Sequence, residues 1–229
     1  MKFDNLLFAH RGVHNNIDIP ENSIKSFKLA IKNKLNIELD LRLTKDNVLV
    51  VFHDDNLKRM TGINKNLNEL NYEEIKNIKL INTNETIPTF KEVLKLVNGK
   101  VLLDIEIKST KKINLICKKI VNELNNYNHP FIIKSFNHKI INWFKKNKPE
   151  YIRGLLIKDN KYNKFIGKFI IYYCKPIFLG ISKKFINKNG IKPYLKKYPI
   201  LIWTIKNKDE LINYNNISNN YICDNIPFI

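Results

Sequence analysis

Four residues, Thr44-Lys45-Asp46-Asn47, separate two apolar β-forming runs, and no other stretch restricts the fold of this chain as tightly. A crossover between parallel neighbours takes a dozen or more residues, so a connection this short must be a hairpin. The run at 48–53 therefore returns antiparallel beside the run at 37–43. Further strand-like segments lie at 6–10, 101–107, 131–135, 152–157, 177–181, 200–205 and 221–223. Helical patterns fall between most of them. At 22–34, Ile24, Phe27, Leu29, Ala30 and Ile31 gather largely on one face after a Pro20-Glu21 entry, and 89–97, 113–124, 138–146 and 184–198 read similarly. Setting the hairpin strand aside leaves eight parallel strands from nine candidates. Alternating βα units with nearly continuous apolar strands predict an α/β fold, a TIM (β/α)8 barrel with an extra β-hairpin after strand two. The competing architecture is an open doubly wound sheet, whose Gly-x-Gly-x-x-Gly turn is absent.

The length of 229 residues suits one domain, 1–229, with a short insertion at 54–88. That insertion carries Lys58-Arg59-Met60-Thr61-Gly62, a short acidic helix candidate at 71–77 and a loop to Pro88; it reads either as a cap over the active end or as an inert connection. Charge is the unusual bulk property: 40 Lys+Arg against 21 Asp+Glu give +19. Such an excess favours polyanions, whether nucleic acid or an anionic bilayer. The plainer reading is compositional drift, because Lys, Asn and Ile recur everywhere, the arginines are only Arg11, Arg42, Arg59 and Arg153, and no compact basic arm exists. No nucleic-acid partner is expected, and weak association with anionic membranes follows as a by-product. Cys117, Cys174 and Cys223 are odd in number and widely spaced among apolar neighbours, which predicts buried free thiols rather than a zinc site or a disulfide framework. The first strand begins close to Met1, leaving no room for a cleavable leader. The apolar stretch 165–181 is interrupted by Lys168, Lys175 and Pro176, short of a membrane span. A soluble, cytoplasmic protein is expected.

Polar clusters close several of these apolar strands: His10-Arg11-Gly12, Glu38 and Asp40, His53-Asp54, and Asp104, Glu106 and Lys108. Such groups are costly at strand ends unless they converge on a metal or a substrate. In a barrel the carboxyl ends of the strands meet at one mouth, and residues two apart face the same side. Glu38 thus pairs with Asp40 and Glu106 with Lys108, while the hairpin returns His53 to their level. Three carboxylates on adjacent strands repel one another without a cation, and oxygen-only ligation favours a hard ion, Mg²⁺ or Ca²⁺. Surface salt bridges to Arg42 and Lys108 are the structural alternative. Arg11 and Lys108 suit a substrate phosphate, and two histidines can divide proton acceptance and donation. His14, His129 and His138 read as surface residues, with His14 near enough to line a rim.

The ordered strings AHRG, PENS, IELDLRLTKDNVLVVFHDDNLKRMTG, IPTFKEVLKLV and LLDIEIK, followed by IIKSFN, RGLL, LIWTIKN and ICDNIP, strongly resemble the glycerophosphodiester phosphodiesterase family along essentially the whole chain. The resemblance implies a metal-dependent TIM-barrel hydrolase that releases sn-glycerol 3-phosphate and an alcohol from small-molecule glycerophosphodiesters. It implies metal ligands at Glu38, Asp40 and Glu106 for one divalent cation, catalytic histidines at His10 and His53, and phosphate-binding cations at Arg11 and Lys108. Phe136 and Trp203 match aromatic positions near the mouth, where they line substrate or fill core. Glu21-Asn22 match a conserved segment read here as a helix-entry turn. Two further functions compete: lysophospholipase D-like release of a head group from lysophospholipids, and a non-enzymatic polyanion-binding module.

Overall fold

The computed structural model describes residues 4–158, 165–188 and 190–224. In chain order the elements begin with β1 (Leu7–Ala9), α1 (Ile24–Lys32), β2 (Asn36–Leu43), β3 (Leu49–Val51), α2 (Lys58–Thr61), α3 (Tyr72–Ile75), α4 (Phe90–Val97), β4 (Leu103–Ile107) and α5 (Ile113–Leu124). They continue with β5 (Phe131–Ser135), α6 (His138–Asn147), β6 (Arg153–Ile157), α7 (Phe165–Cys174), β7 (Phe178–Ser182), α8 (Lys192–Leu195), β8 (Ile200–Ile205), α9 (Lys208–Tyr214) and β9 (Tyr221–Cys223). The sheet runs β1-β9-β8-β7-β6-β5-β4-β2-β3, and a parallel β1–β2 pairing closes eight of these strands into a barrel. β3 is the antiparallel outlier, with Leu41 opposite Val51 and Leu43 opposite Leu49.

The hairpin turn is built by its own side chains. Thr44 Oγ1 accepts from the Val48 amide at 2.9 Å and donates to Asp46 Oδ1 at 2.5 Å, while Asn47 takes the left-handed φ of 66°. The ladder continues one residue beyond β3: the Phe52 amide donates to the Asp40 carbonyl at 2.9 Å, which sets His53 at the barrel mouth.

Strand alternation sorts the core into two zones. Outward-facing residues such as Ile37, Leu39, Ile105, Ile133, Leu179 and Ile202 pack under the helices, which contribute Phe27, Phe90, Ile120 and Phe144. Inside the barrel, Phe8, Leu102, Ile132, Phe178, Leu201 and Ile222 form an apolar floor. The charged residues stand one layer above that floor. Capping makes the helices start where they do: Ser23 with Ser26 on α1, and Thr89 with Glu92 on α4, form reciprocal capping boxes, each cap contributing about 1 kcal/mol.

The segment after the hairpin has a small core of its own, in which Leu57, Met60, Leu67, Leu70, Ile75, Leu80 and Ile87 pack onto Val50 and Phe52 of the hairpin. Three helices differ from expectation. The pattern at 184–198 forms turns and only the short α8, because Pro193 cannot sit inside a helix running on from 184 and is accommodated in a first turn, where α8 places it. α7 is apolar on nearly every face and so carries no amphipathic period to read, and Phe169 and Tyr172 remain exposed on it. α9 is capped by Asn207 with Asp209 and Glu210 in its first turn, yet it buries none of its residues. The three cysteines are free and buried, and burial pushes each thiol up to about 12. Among the described residues no helix is long and apolar enough to cross a membrane.

Candidate active site

β2 and β4 pair in a register that sets Glu38 beside Asp104 and Asp40 beside Glu106. Glu38, Asp40 and Glu106 are buried, and each offers a carboxylate oxygen within 4.8 Å of the others. Two lysines offset the repulsion. Lys108 Nζ lies 2.7 Å from Asp40 Oδ1 and 2.5 Å from Glu106 Oε1. Below it, the fully buried Lys134 on β5 spans Glu38 at 3.0 Å and Asp104 at 2.6 Å. Burial opposes the Lys134 charge, but Asp104 and Glu38 outweigh it and raise its pKa. Burial likewise opposes ionisation of Asp40, yet Lys108, Arg11 and His53 hold its carboxyl far below the usual range. Asp40 is thus held ionised, and the trio is inward-facing and made only of oxygen donors, which fits a hard divalent cation.

The turn after β1 forms the facing wall. Arg11 and Gly12 both take left-handed φ values, 57° and 79°. A Cβ on Gly12 would lie 2.5 Å from Ser26 Oγ, so only glycine lets the turn rest on α1. This strained turn aims the Arg11 amide at Glu38 Oε2, 3.1 Å away. The Arg11 guanidinium reaches Glu21 at 2.7 Å and lies 3.4 Å from Asp40 Oδ2. Glu21 also receives Arg59 at 2.6 Å. Its burial disfavours the charge, but Arg59 and Arg11 together bring its pKa down to about 2. Asn22 Nδ2 donates to Asp40 Oδ2 at 2.9 Å, so the segment read as a helix-entry turn both starts α1 and touches the carboxylates.

Each mouth histidine is braced through Nδ1. His10 lies 2.6 Å from Asp224 Oδ1, and His53 lies 2.6 Å from Asp54 Oδ1. Asp54 is held by Arg59 Nε at 2.6 Å, and Arg42 Nε donates to the His53 carbonyl at 2.8 Å. Phe136 and Trp203 meet edge to face, with centroids 5.5 Å apart, and Trp203 Nε1 is a buried donor with no partner among the described residues. His14, with Asn15, Asn16, Lys206 and Asp224, lines a small cavity of about 170 Å³. His129 packs on Tyr127, and His138 lies edge-on to Tyr173.

Glu38, Asp40, Glu106, His10, His53, Arg11 and Lys108 thus converge at one end of the barrel, whereas His129 and His138 make aromatic contacts outside that group. Sequence reasoning missed Lys134, gave Asp104 no role beyond its place in the cluster with Glu106 and Lys108, and missed Asp224. A buried lysine in an apolar strand is a readable signal for the first, and the alternation Leu102, Asp104, Glu106 for the second. Asp224 becomes visible only when β9 closes beside β1.

Comparison gives this constellation its class. The sequence profile of the Glycerophosphoryl diester phosphodiesterase family matches residues 10–215, and its members are phosphoric diester hydrolases. The chain belongs to that family. A glycerophosphodiester phosphodiesterase of Caldanaerobacter subterraneus is 33% identical over 222 residues, spanning 90% of this chain and 88% of the relative. A human lysophospholipase D is 31% identical over 137 residues, 53% of this chain and 42% of its own. Among solved structures, a phosphodiesterase of Oleispira antarctica in complex with the product sn-glycerol-3-phosphate has a similar barrel, with a TM-score of 0.84, 24% identity and coverage of 96% of this chain and 92% of that one.

Proposed function

We propose that this enzyme hydrolyses glycerophosphodiesters to sn-glycerol 3-phosphate and an alcohol, using a divalent cation and two histidines. The observation that carries the reading is the convergence of Glu38, Asp40 and Glu106 between two carboxylate-braced histidines. A divalent ion bound by these three carboxylates would supply Lewis-acid polarisation of the phosphate. The choice between Mg²⁺ and Ca²⁺ belongs to the same proposal.

The remaining roles fall to the chain itself. Asp224 and Asp54 fix the Nδ1 side of His10 and His53, which leaves each Nε2 to exchange a proton with substrate. One histidine takes the proton from the attacking oxygen as the new P–O bond forms; a water gives glycerol 3-phosphate directly, whereas the neighbouring glycerol hydroxyl gives a cyclic phosphate that a water then opens. The other protonates the alcohol oxygen as the old P–O bond breaks. Arg11 and Lys108, now engaged by carboxylates, neutralise the phosphate oxygens as substrate enters. Phe136 and Trp203 form an aromatic wall for the glycerol arm, and the Trp203 indole N–H is a donor for one of its hydroxyls.

The test is an assay, in the presence of Mg²⁺ or Ca²⁺, of glycerol 3-phosphate release from water-soluble diesters and of free head group and lysophosphatidic acid release from a lysophospholipid. Substrates are glycerophosphoglycerol, glycerophosphocholine, glycerophosphoethanolamine and a lysophospholipid. Release from one or more water-soluble diesters supports the proposal. Turnover of the lysolipid alone would replace it with the lysophospholipase D reading, and salt-dependent DNA or vesicle binding without turnover would replace it with the polyanion-binding one.

A further inference from the structure

Beside the carboxylate trio opens a cavity of about 540 Å³, between the hairpin, the segment after it and the loop joining β4 to α5. It is far larger than a glycerol arm requires and matches the size of sites for drug-sized ligands. Lys108 lies on its wall and also contacts Asp40 and Glu106, so the cavity begins where the phosphate would sit. Arg42, on the same wall, donates to the His53 carbonyl, which places His53 directly behind it. A phosphodiester has two arms. The glycerol arm is common to the whole substrate class, so a roomy cavity next to the phosphate suits the variable alcohol.

The chemistry of the lining is one-sided. Arg42, Lys108, Lys111 and Lys112 face a single carboxylate, Asp55, and Arg42 already pairs with it. Lys112 Nζ is engaged by the neutral Asn47 Oδ1 at 2.7 Å, and Lys111 is exposed. Hydroxyl and amide groups from Thr44, Ser109 and Asn68 complete the polar surface. No aromatic ring stands among the described lining residues, so nothing there resembles the cage that a quaternary ammonium needs. Choline or ethanolamine would meet lysines without a compensating carboxylate, whereas a phosphorylated alcohol would meet several donors and a favourable field.

We propose that this cavity is the binding site for the alcohol arm and selects anionic, phosphorylated polyol head groups over cationic ones. The inference rests on the hydrolase reading above and deepens it by naming the substrate class. Lys111 and Lys112 act as specificity residues: they touch the head group and leave the reacting phosphorus to other groups.

The experiment compares kcat/KM for three diesters that share the glycerophosphoryl arm and carry an anionic, a neutral or a cationic alcohol: glycerophosphoinositol 4-phosphate, glycerophosphoglycerol and glycerophosphocholine. The expected order is anionic, then neutral, then cationic, with about tenfold or more between the extremes at low ionic strength. In the double variant Lys111→Glu/Lys112→Glu that ratio collapses or inverts, chiefly through a raised KM for the anionic substrate. Both lysines are exposed, so the fold tolerates the change, and a circular-dichroism melt confirms it. Equal or better turnover of glycerophosphocholine by the unmodified enzyme would overturn the proposal. So would a double variant that lowers all three substrates by the same factor. Failure to hydrolyse any of the three would instead sink the underlying reading and take this one with it, whereas clear turnover without charge preference removes only the cavity's role.

Discussion

His10 and Asp224 lie 214 positions apart in sequence, whereas His53 and Asp54 are neighbours, yet both pairs close to the same 2.6 Å. The first depends on closure of the barrel: β9 must pair with β1, and the His10 amide must reach the Cys223 carbonyl at 3.0 Å. The second depends on the hairpin and the segment beyond it, where Arg42 fixes the His53 backbone and Arg59 fixes Asp54. One histidine is therefore as rigid as the barrel, and the other only as rigid as an appended layer with its own small core. Glu21 ties the two walls together by holding Arg11 from the first and Arg59 from the second.

Removing either histidine tests whether the two arms carry comparable weight. His10→Ala and His53→Ala are each expected to lower kcat by about 10²- to 10⁴-fold while leaving the thermal melt nearly unchanged. If either variant kept the wild-type rate, the pairing of roles would fail.

Removing the braces separates rigid from appended. Asp224→Asn and Asp54→Asn should each cost about 10- to 100-fold in kcat, because a ring that loses its Nδ1 partner loses its fixed tautomer and orientation. The Asp54 variant should show the smaller loss, since Arg42 still anchors the His53 backbone. A larger loss at Asp54 than at Asp224 would reverse the comparison.

The tie between the walls is a matter of stability rather than rate. A carboxyl whose pKa is lowered from 4.5 to about 2 stabilises the fold fully above its unfolded value, and that contribution fades as pH falls from about 4.5 toward 2. Denaturant titrations at pH 7 should show Glu21→Gln less stable than the parent by up to about 3 kcal/mol, with the gap closing as pH approaches 2. A gap independent of pH would mean that Glu21 acts through packing alone.

Much of this architecture was legible in the chain because two periodicities dominate it. The four-residue turn at Thr44 left β3 no topology except antiparallel, and the apolar runs of β5, β8 and β9 were bounded correctly by their own composition. Glu38, Asp40, Glu106, His10 and His53 stood out because charged groups on apolar strands are costly without a purpose. Lys134 reads as an isolated polar residue, and Asp104 as a cluster member without a role of its own, until β4 and β5 pair and the two meet at 2.6 Å. α7 escaped notice for the opposite reason: a helix apolar on nearly every face has no moment to detect. The arginine network through Glu21 joins the β1–α1 loop to the segment after the hairpin, and no local pattern announces it.

Every proposed catalytic role depends on Glu38, Asp40 and Glu106 acting together as a divalent-cation site. The direct measurement is glycerol 3-phosphate release from glycerophosphoglycerol by EDTA-stripped enzyme, before and after a single divalent ion is restored. The expected result is loss of turnover on stripping, recovery with Mg²⁺ or Ca²⁺, and no recovery in Asp40→Asn at the same ion concentration. A stripped enzyme that keeps its full rate would contradict the claim.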